Sequence, residues 1–184
     1  MPRPRDFQKS RIYKAENRIH EALKERGLDA KMESIPEVDA FVKHVTQSRF
    51  WKSKTIPNFA ARGKPVRVKD GRGRRIACAG WSALGYYVAL PKWARTKLTT
   101  VHEMTHVACY HNRVSHGRMF ARTMLAMTRR FLGKEAGDLL AEQYKLLRVK
   151  RVGRDVGPTT IHYIPTAPVE SVVSVVSREG QPNE

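Results

Sequence analysis

The stretch VHEMTHVACYHNRVSHG, residues 101–117, constrains this chain more than any other. It holds four of the seven histidines and one glutamate. Within it, HEMTH is an H-E-x-x-H pattern on a segment with helical character. On a helix, residues four apart differ by about 40° in direction, so His102 and His106 project from one face. One zinc ion can accept a nitrogen from each at about 2.0–2.1 Å. Glu103 is turned about 100° from His102, beside such an ion, where a base acting on water belongs. The plainer alternative is an amphipathic helix with solvated histidines. Val101, Thr105 and Ala108 argue against it, because they leave the helix only weakly polar around the pair.

A catalytic zinc site takes three protein ligands and keeps one position open. His111 lies nine residues after His102, so on a continuing helix it points to the opposite face, as a helix-end or outer residue. His116 follows the polar break that begins at Asn112 and precedes Gly117 and the next apolar helix. A chain reversal there returns His116 over the pair, which makes it the favoured third ligand. An acid from the later helices, Glu135 or Asp138, is the remaining alternative. The metzincin spacing is excluded, since Cys109 and Asn112 stand where it needs glycine and histidine.

Around this segment the pattern predicts an α+β chain. A first helix is expected over about 6–26, with Ile12, Ala15, Ile19, Ala22 and Leu23 on one face and Gly27 at its end. A second starts at Ser34, where Glu37 gives capping-box spacing and Pro36 sits in the first turn. Val38, Phe41, Val42 and Val45 form its apolar stripe. PVRVKD, the turn GRG and RRIACAG suggest a β-hairpin, and Tyr86–Leu90 a third strand ended by Pro91. Three helices follow, over about 92–111, 118–132 and 135–147. The fourth helix of the chain buries Phe120, Met124, Met127 and Phe131. Trp51, Trp81 and Trp93 are expected as core or junction anchors. Residues 1–152 then form one domain, with N-terminal helices in 6–50, the sheet in 65–90 and the site helices in 92–148. Residues 153–184, with Pro158, Pro165 and Pro168, are expected to be an extended or disordered tail, in which SVVSVV has strand character.

The chain carries 35 Lys and Arg against 17 Asp and Glu, a formal charge of +18. Beyond residue 152, Arg154 and Arg178 face Asp155, Glu170, Glu179 and Glu184, so the first 152 residues hold +20. Such a surface attracts nucleic acid without sequence preference, through counterion release. The segments 52–75 and 148–154 are the candidate phosphate contacts, and solubility alone is the competing account of them. No apolar run approaches the roughly 18–20 residues of a membrane span, and no membrane partner is expected. The charged N-terminus lacks the apolar segment of a signal peptide, and Cys78 and Cys109 make no disulfide framework. The protein is therefore expected to be soluble and cytoplasmic.

HEMTH followed at short range by SHGRMF and a helix resembles the SprT-like branch of zinc metallopeptidases. The chain is also similar to a group of small zinc metallohydrolases from actinobacteria and their phages. Their RD-Q---VY-AE opening is seen here as RDFQKSRIYKAE, and their ALP-W-R junction as ALPKWAR. The resemblance spans roughly residues 3–147. It implies a zincin-like minimal metallopeptidase, a small antiparallel sheet of about three strands packed on the H-E-x-x-H helix with flanking helices. It implies Zn2+ on His102, His106 and His116, Glu103 as general base, and a protein or peptide substrate. Tyr86–Leu90 would then be an edge strand that pairs with an extended substrate. Tyr110, His111 and Arg118 are close enough in sequence to be candidates for stabilising the oxyanion. Two alternatives stand beside this reading. One is a basic DNA-associated protein with a structural or vestigial metal site; the other is a SprT-like protease acting on DNA-bound proteins.

Overall fold

The residues that end up at the centre of the molecule belong to a helix that is buried nearly all the way round, although it carries three threonines, two histidines and a glutamate. The computed structural model describes residues 6–112 and 114–153, and the expectation of a loose tail lies outside them. Helix α1 spans Lys9–Glu25, α2 Ile35–Gln47, α3 Arg49–Lys52, α4 Lys97–Ala108, α5 Arg118–Phe131 and α6 Lys134–Leu146. Strands β1 (Arg67–Asp70), β2 (Cys78–Ser82) and β3 (Gly85–Leu90) lie between α3 and α4. Among the described residues the architecture is thus mixed α+β, six helices with one small three-stranded sheet.

In α4, Leu98, Thr100, Val101, His102, Glu103, Met104, Thr105, Val107 and Ala108 are all buried. A helix buried on nearly every side has no face to give to water, so it is the core element on which others pack, and its polar side chains need partners inside the protein. One face of α4 meets β2 and β3, and α5 packs against another. Helix α6 packs on α5, and α1 packs on α6 through Ile12, Ala15, Ile19 and Leu23. These residues belong to one continuous apolar cluster with Val88, Leu90, Phe120, Met124 and Leu140.

A buried helix needs partners for the backbone groups at its ends. At the start of α4, Thr96 accepts a hydrogen bond from the Thr99 amide at 3.2 Å. Asp29 accepts one from the Leu98 amide at 2.8 Å. At the other end the Asn58 side-chain amide donates to the Val107 carbonyl at 2.8 Å and to the Tyr86 hydroxyl at 3.0 Å. The Asn58 backbone amide donates to the Ala108 carbonyl, also at 2.8 Å. Both ends of α4 are therefore held by residues far away in sequence. Arg95 locks the turn that leads into it, donating to the Leu90 and Glu33 carbonyls and to Asp70 Oδ1 at 2.9 Å.

The sheet differs from the expected antiparallel hairpin arrangement. Its order is β1-β3-β2, with β3 parallel to β1 and antiparallel to β2. The tight turn is Ala83–Leu84, between the paired residues Ser82 and Gly85. The Asp70–Gly73 turn instead begins a longer connection that carries the chain past β3. Asp70 does accept from the Arg72 amide at 3.0 Å, so the turn chemistry read from the sequence is present without a hairpin. Gly71 is required there by proximity, because a Cβ on it would fall 2.4 Å from the Pro91 nitrogen. Tyr86–Leu90 is consequently the central strand and cannot serve as an edge; the free edges belong to β1 and β2.

The expected helix over 92–111 divides into a 3-10 turn, Lys92–Ala94, and α4, because the chain must turn at Arg95 to reach the core. Trp51 is fully buried and donates to the Ala61 carbonyl at 2.9 Å. Trp81 and Trp93 are not anchors; they are 53% and 63% exposed, Trp81 lying on the edge strand and Trp93 on the turn before α4. Helix α3, too short to carry a periodic signal, was not foreseen. No helix among the described residues is long and apolar enough to cross a membrane.

Asp29→Ala is expected to destabilise the fold by about 1–3 kcal/mol, because it strands the buried Leu98 amide. Urea unfolding followed by tryptophan fluorescence measures the loss.

Candidate metal centre

The helical spacing of His102 and His106 brings their Nε2 atoms within 3.1 Å of each other. After Ala108 the chain leaves the helix, turns through Val114–Gly117 and starts α5 at Arg118. The turn returns His116 to the pair. One ligand atom from each of His102, His106 and His116 lies within 4.8 Å of the other two. Two nitrogens on one tetrahedral zinc ion stand roughly 3.3–3.4 Å apart, so the spacing of the first pair fits such an ion. His116 Nε2 is buried without a hydrogen-bond partner. An orphaned buried acceptor beside two other imidazole nitrogens is the donor set that a borderline-soft divalent cation fits.

Phe120, fully buried, packs against all three imidazoles, with centroid distances of 5.0, 4.6 and 4.9 Å to His102, His106 and His116. Tyr13 of α1 stacks on His102 at 5.3 Å and leans on His116 at 5.2 Å. The remaining contacts come from two carboxylates. Both Glu16 oxygens lie 2.9 Å from His102 Nδ1, and Asp6 Oδ2 lies 2.7 Å from His116 Nδ1. An ionised carboxylate only accepts, so the proton of each ring sits on Nδ1 and the Nε2 lone pair turns inward.

Burial dominates the electrostatics. It pushes the Glu103 carboxyl up to about 7, with His102 opposing and Glu16 adding to the rise. His106 is driven down to about 2 by burial and by the neighbouring His102 and His116, so it keeps its lone pair at neutral pH. For His102, burial lowers the value, but the charge and hydrogen bond of Glu16, with Glu103, carry the net shift upward. His116 is lowered by burial despite its bond to Asp6. Tyr13 is raised to about 12, by burial first and then by Glu103, Glu16 and Asp6.

Of the other candidates, His111 is exposed and stands against Tyr110, outside the three-histidine group. Glu135 pairs with Arg26, while Asp138 pairs with Arg129 at 2.9 Å and with Lys134 at 2.6 Å, all on the surface. Tyr110 packs its ring on Tyr86, and the Arg118 guanidinium lies against Gly153. Asp6, Tyr13 and Glu16 were missed. Glu16 left a trace: it is an acid on the apolar stripe, between Ile12 and Ile19. All three also fall within RDFQKSRIYKAE.

Phe120→Ala is expected to cost about 3–5 kcal/mol, the usual loss for a fully buried phenylalanine. Equilibrium denaturation measures it, and a loss under 1 kcal/mol would mean that the three rings do not depend on this support.

Against protein-family models, curated proteins and solved structures alike, the chain matches none.

Proposed function

We propose that this protein is a zinc-dependent hydrolase, a metallopeptidase of zincin-like arrangement, with His102, His106 and His116 as ligands and Glu103 as general base. The observation that carries the proposal is the convergence of three imidazoles, the buried His102 and His116, each oriented by a carboxylate, and the half-buried His106, beside a buried glutamate. Kinship with the SprT-like peptidases and with the actinobacterial and phage metallohydrolases rests on the sequence motifs. A zinc ion in this site supplies Lewis acidity, lowering the pKa of a water toward about 7 and polarising a carbonyl.

The remaining work belongs to the protein. Glu103, adjacent to His102 and raised toward neutrality by burial, accepts the proton of the attacking water and passes it to the leaving amide nitrogen. Glu16 and Asp6 hold their histidines in the tautomer that presents Nε2. An extended peptide has a backbone to pair with at the free edge of β2, the edge strand of the sheet packed on α4, where Trp81 is exposed beside Tyr86. A structural metal site in a basic DNA-associated protein is the competing reading, and the behaviour of Glu103 separates the two.

The purified protein is expected to hold one zinc ion per chain, removable by chelator, and His116→Ala to lose it while His111→Ala keeps it. Glu103→Gln should retain the metal and lose turnover on an unfolded protein substrate by at least about 100-fold. Turnover unchanged in that variant sinks the mechanism; zinc bound without turnover in the wild type favours the structural site.

Glu16→Gln and Asp6→Asn are each expected to weaken zinc binding by about 10–100-fold. Competition with a fluorescent chelator reads this without any substrate.

A further inference from the structure

The side of the sheet turned away from α4 carries a second chemistry. On β3, Tyr86, Val88 and Leu90 enter the apolar cluster, so the alternating residues Tyr87 and Ala89 lie on the opposite face of the sheet, Tyr87 half-buried and the small Ala89 covered by its neighbours. Strand register places Arg67 beside Tyr87 and Lys69 beside Ala89 on one flank, and Gly80 beside Tyr87 and Cys78 beside Ala89 on the other. The outer face is therefore built from cations around one ring. Arg67 is oriented across it by donating to the Ser82 hydroxyl at 3.0 Å. The Lys69 ammonium lies 3.8 Å from the centroid of the Tyr87 ring. The hydroxyl end of that ring lies across Gly80, where a Cβ would fall 2.7 Å from the Tyr87 oxygen. Arg74, at the β1–β2 connection, reaches Cys78 Sγ at 3.4 Å.

From Lys64 to Arg75 the chain has six cations and a single acid, Asp70. Asp70 is itself engaged by Arg95 at 2.9 Å and Arg72 at 3.8 Å, which leaves the patch with no free negative charge of its own segment. Lys69, Arg72, Arg74 and Arg75 are exposed.

We propose that this outer face is a docking surface for the phosphate backbone of a nucleic-acid duplex, read without regard to base sequence. Charge complementarity selects the partner: cations on β1 and on the connection that follows it match a double row of phosphates. A single strand held by base stacking needs bare aromatic faces, and here one face of Tyr87 is taken by Lys69. The surface lies on the opposite side of the sheet from α4, so duplex and histidine cluster do not compete for space.

The test uses the full chain and a 25-base-pair DNA duplex, followed by fluorescence anisotropy across a salt series. The variant Lys69→Ala/Arg72→Ala/Arg74→Ala/Arg75→Ala removes four exposed cations from the patch. A control, Lys24→Ala/Arg122→Ala/Arg130→Ala/Lys145→Ala, removes the same charge from exposed positions on α1, α5 and α6. The patch variant is expected to bind at least about tenfold more weakly, with a log–log salt slope smaller by about 3 to 4, while the control stays near wild type. Equal losses in both variants overturn the proposal, since net charge alone would then account for binding. So does a wild-type protein that ignores the duplex or prefers a single strand of the same length. Binding is read without cleavage or added metal, so the result does not depend on the hydrolase reading.

Discussion

The burial of α4 on all sides is the constraint from which the rest of the structure follows. A helix in that position loses access to water for its end groups as well as its flanks. Asp29 therefore has to reach the Leu98 amide, and Asn58 the Val107 and Ala108 carbonyls. Those bonds draw the α1–α2 loop to one end of α4 and the segment after α3 to the other. The sheet closes a further side, and Arg95 fixes the angle at which β3 hands the chain to the helix. His102 and Glu103 are thus placed on an element held at both ends and packed on several sides.

A buried polar cluster stabilises a protein only when its members are satisfied. Here α1 and the residue Asp6 ahead of it satisfy one side: Glu16 and Asp6 take the Nδ1 protons, while Tyr13 and, from α5, Phe120 cover the ring faces. The inner side is left with nitrogens pointing at one another and His116 Nε2 unpartnered. The proposed cation resolves that conflict, and it gives the packing of α1 against the cluster a chemical purpose beyond the apolar contact with α6. The basic outer face of the sheet stands apart from this logic, since none of its cations touches the histidines.

Several features were legible in the sequence because they are local. The stripe Ile12, Ala15, Ile19 and Leu23, the Ser34 cap and the apolar face of α5 all reflect periodicity or capping within one element. The sheet was misread for a physical reason. The signal DGRG describes how the backbone turns at Asp70, not which strand lies next to it, and the true tight turn at Ala83–Leu84 has no strong turn residue within it. Trp81 and Trp93 were expected as core or junction anchors, but the size and apolarity of a ring say nothing of which side of an edge strand or turn it occupies.

The same division runs through the site. Sequence by itself determined that His102 and His106 share a helix face with Glu103 beside them, because helical geometry relates residues a few positions apart without reference to anything else. It favoured His116 through the break after the helix, where a reversal is the economical path. Only the tertiary structure decided that Glu16, 86 residues from His102, and Asp6, 110 residues from His116, complete the shell. Hydrogen bonds between elements so distant depend on how α1 docks, and that is set by the whole core rather than by any short run of residues.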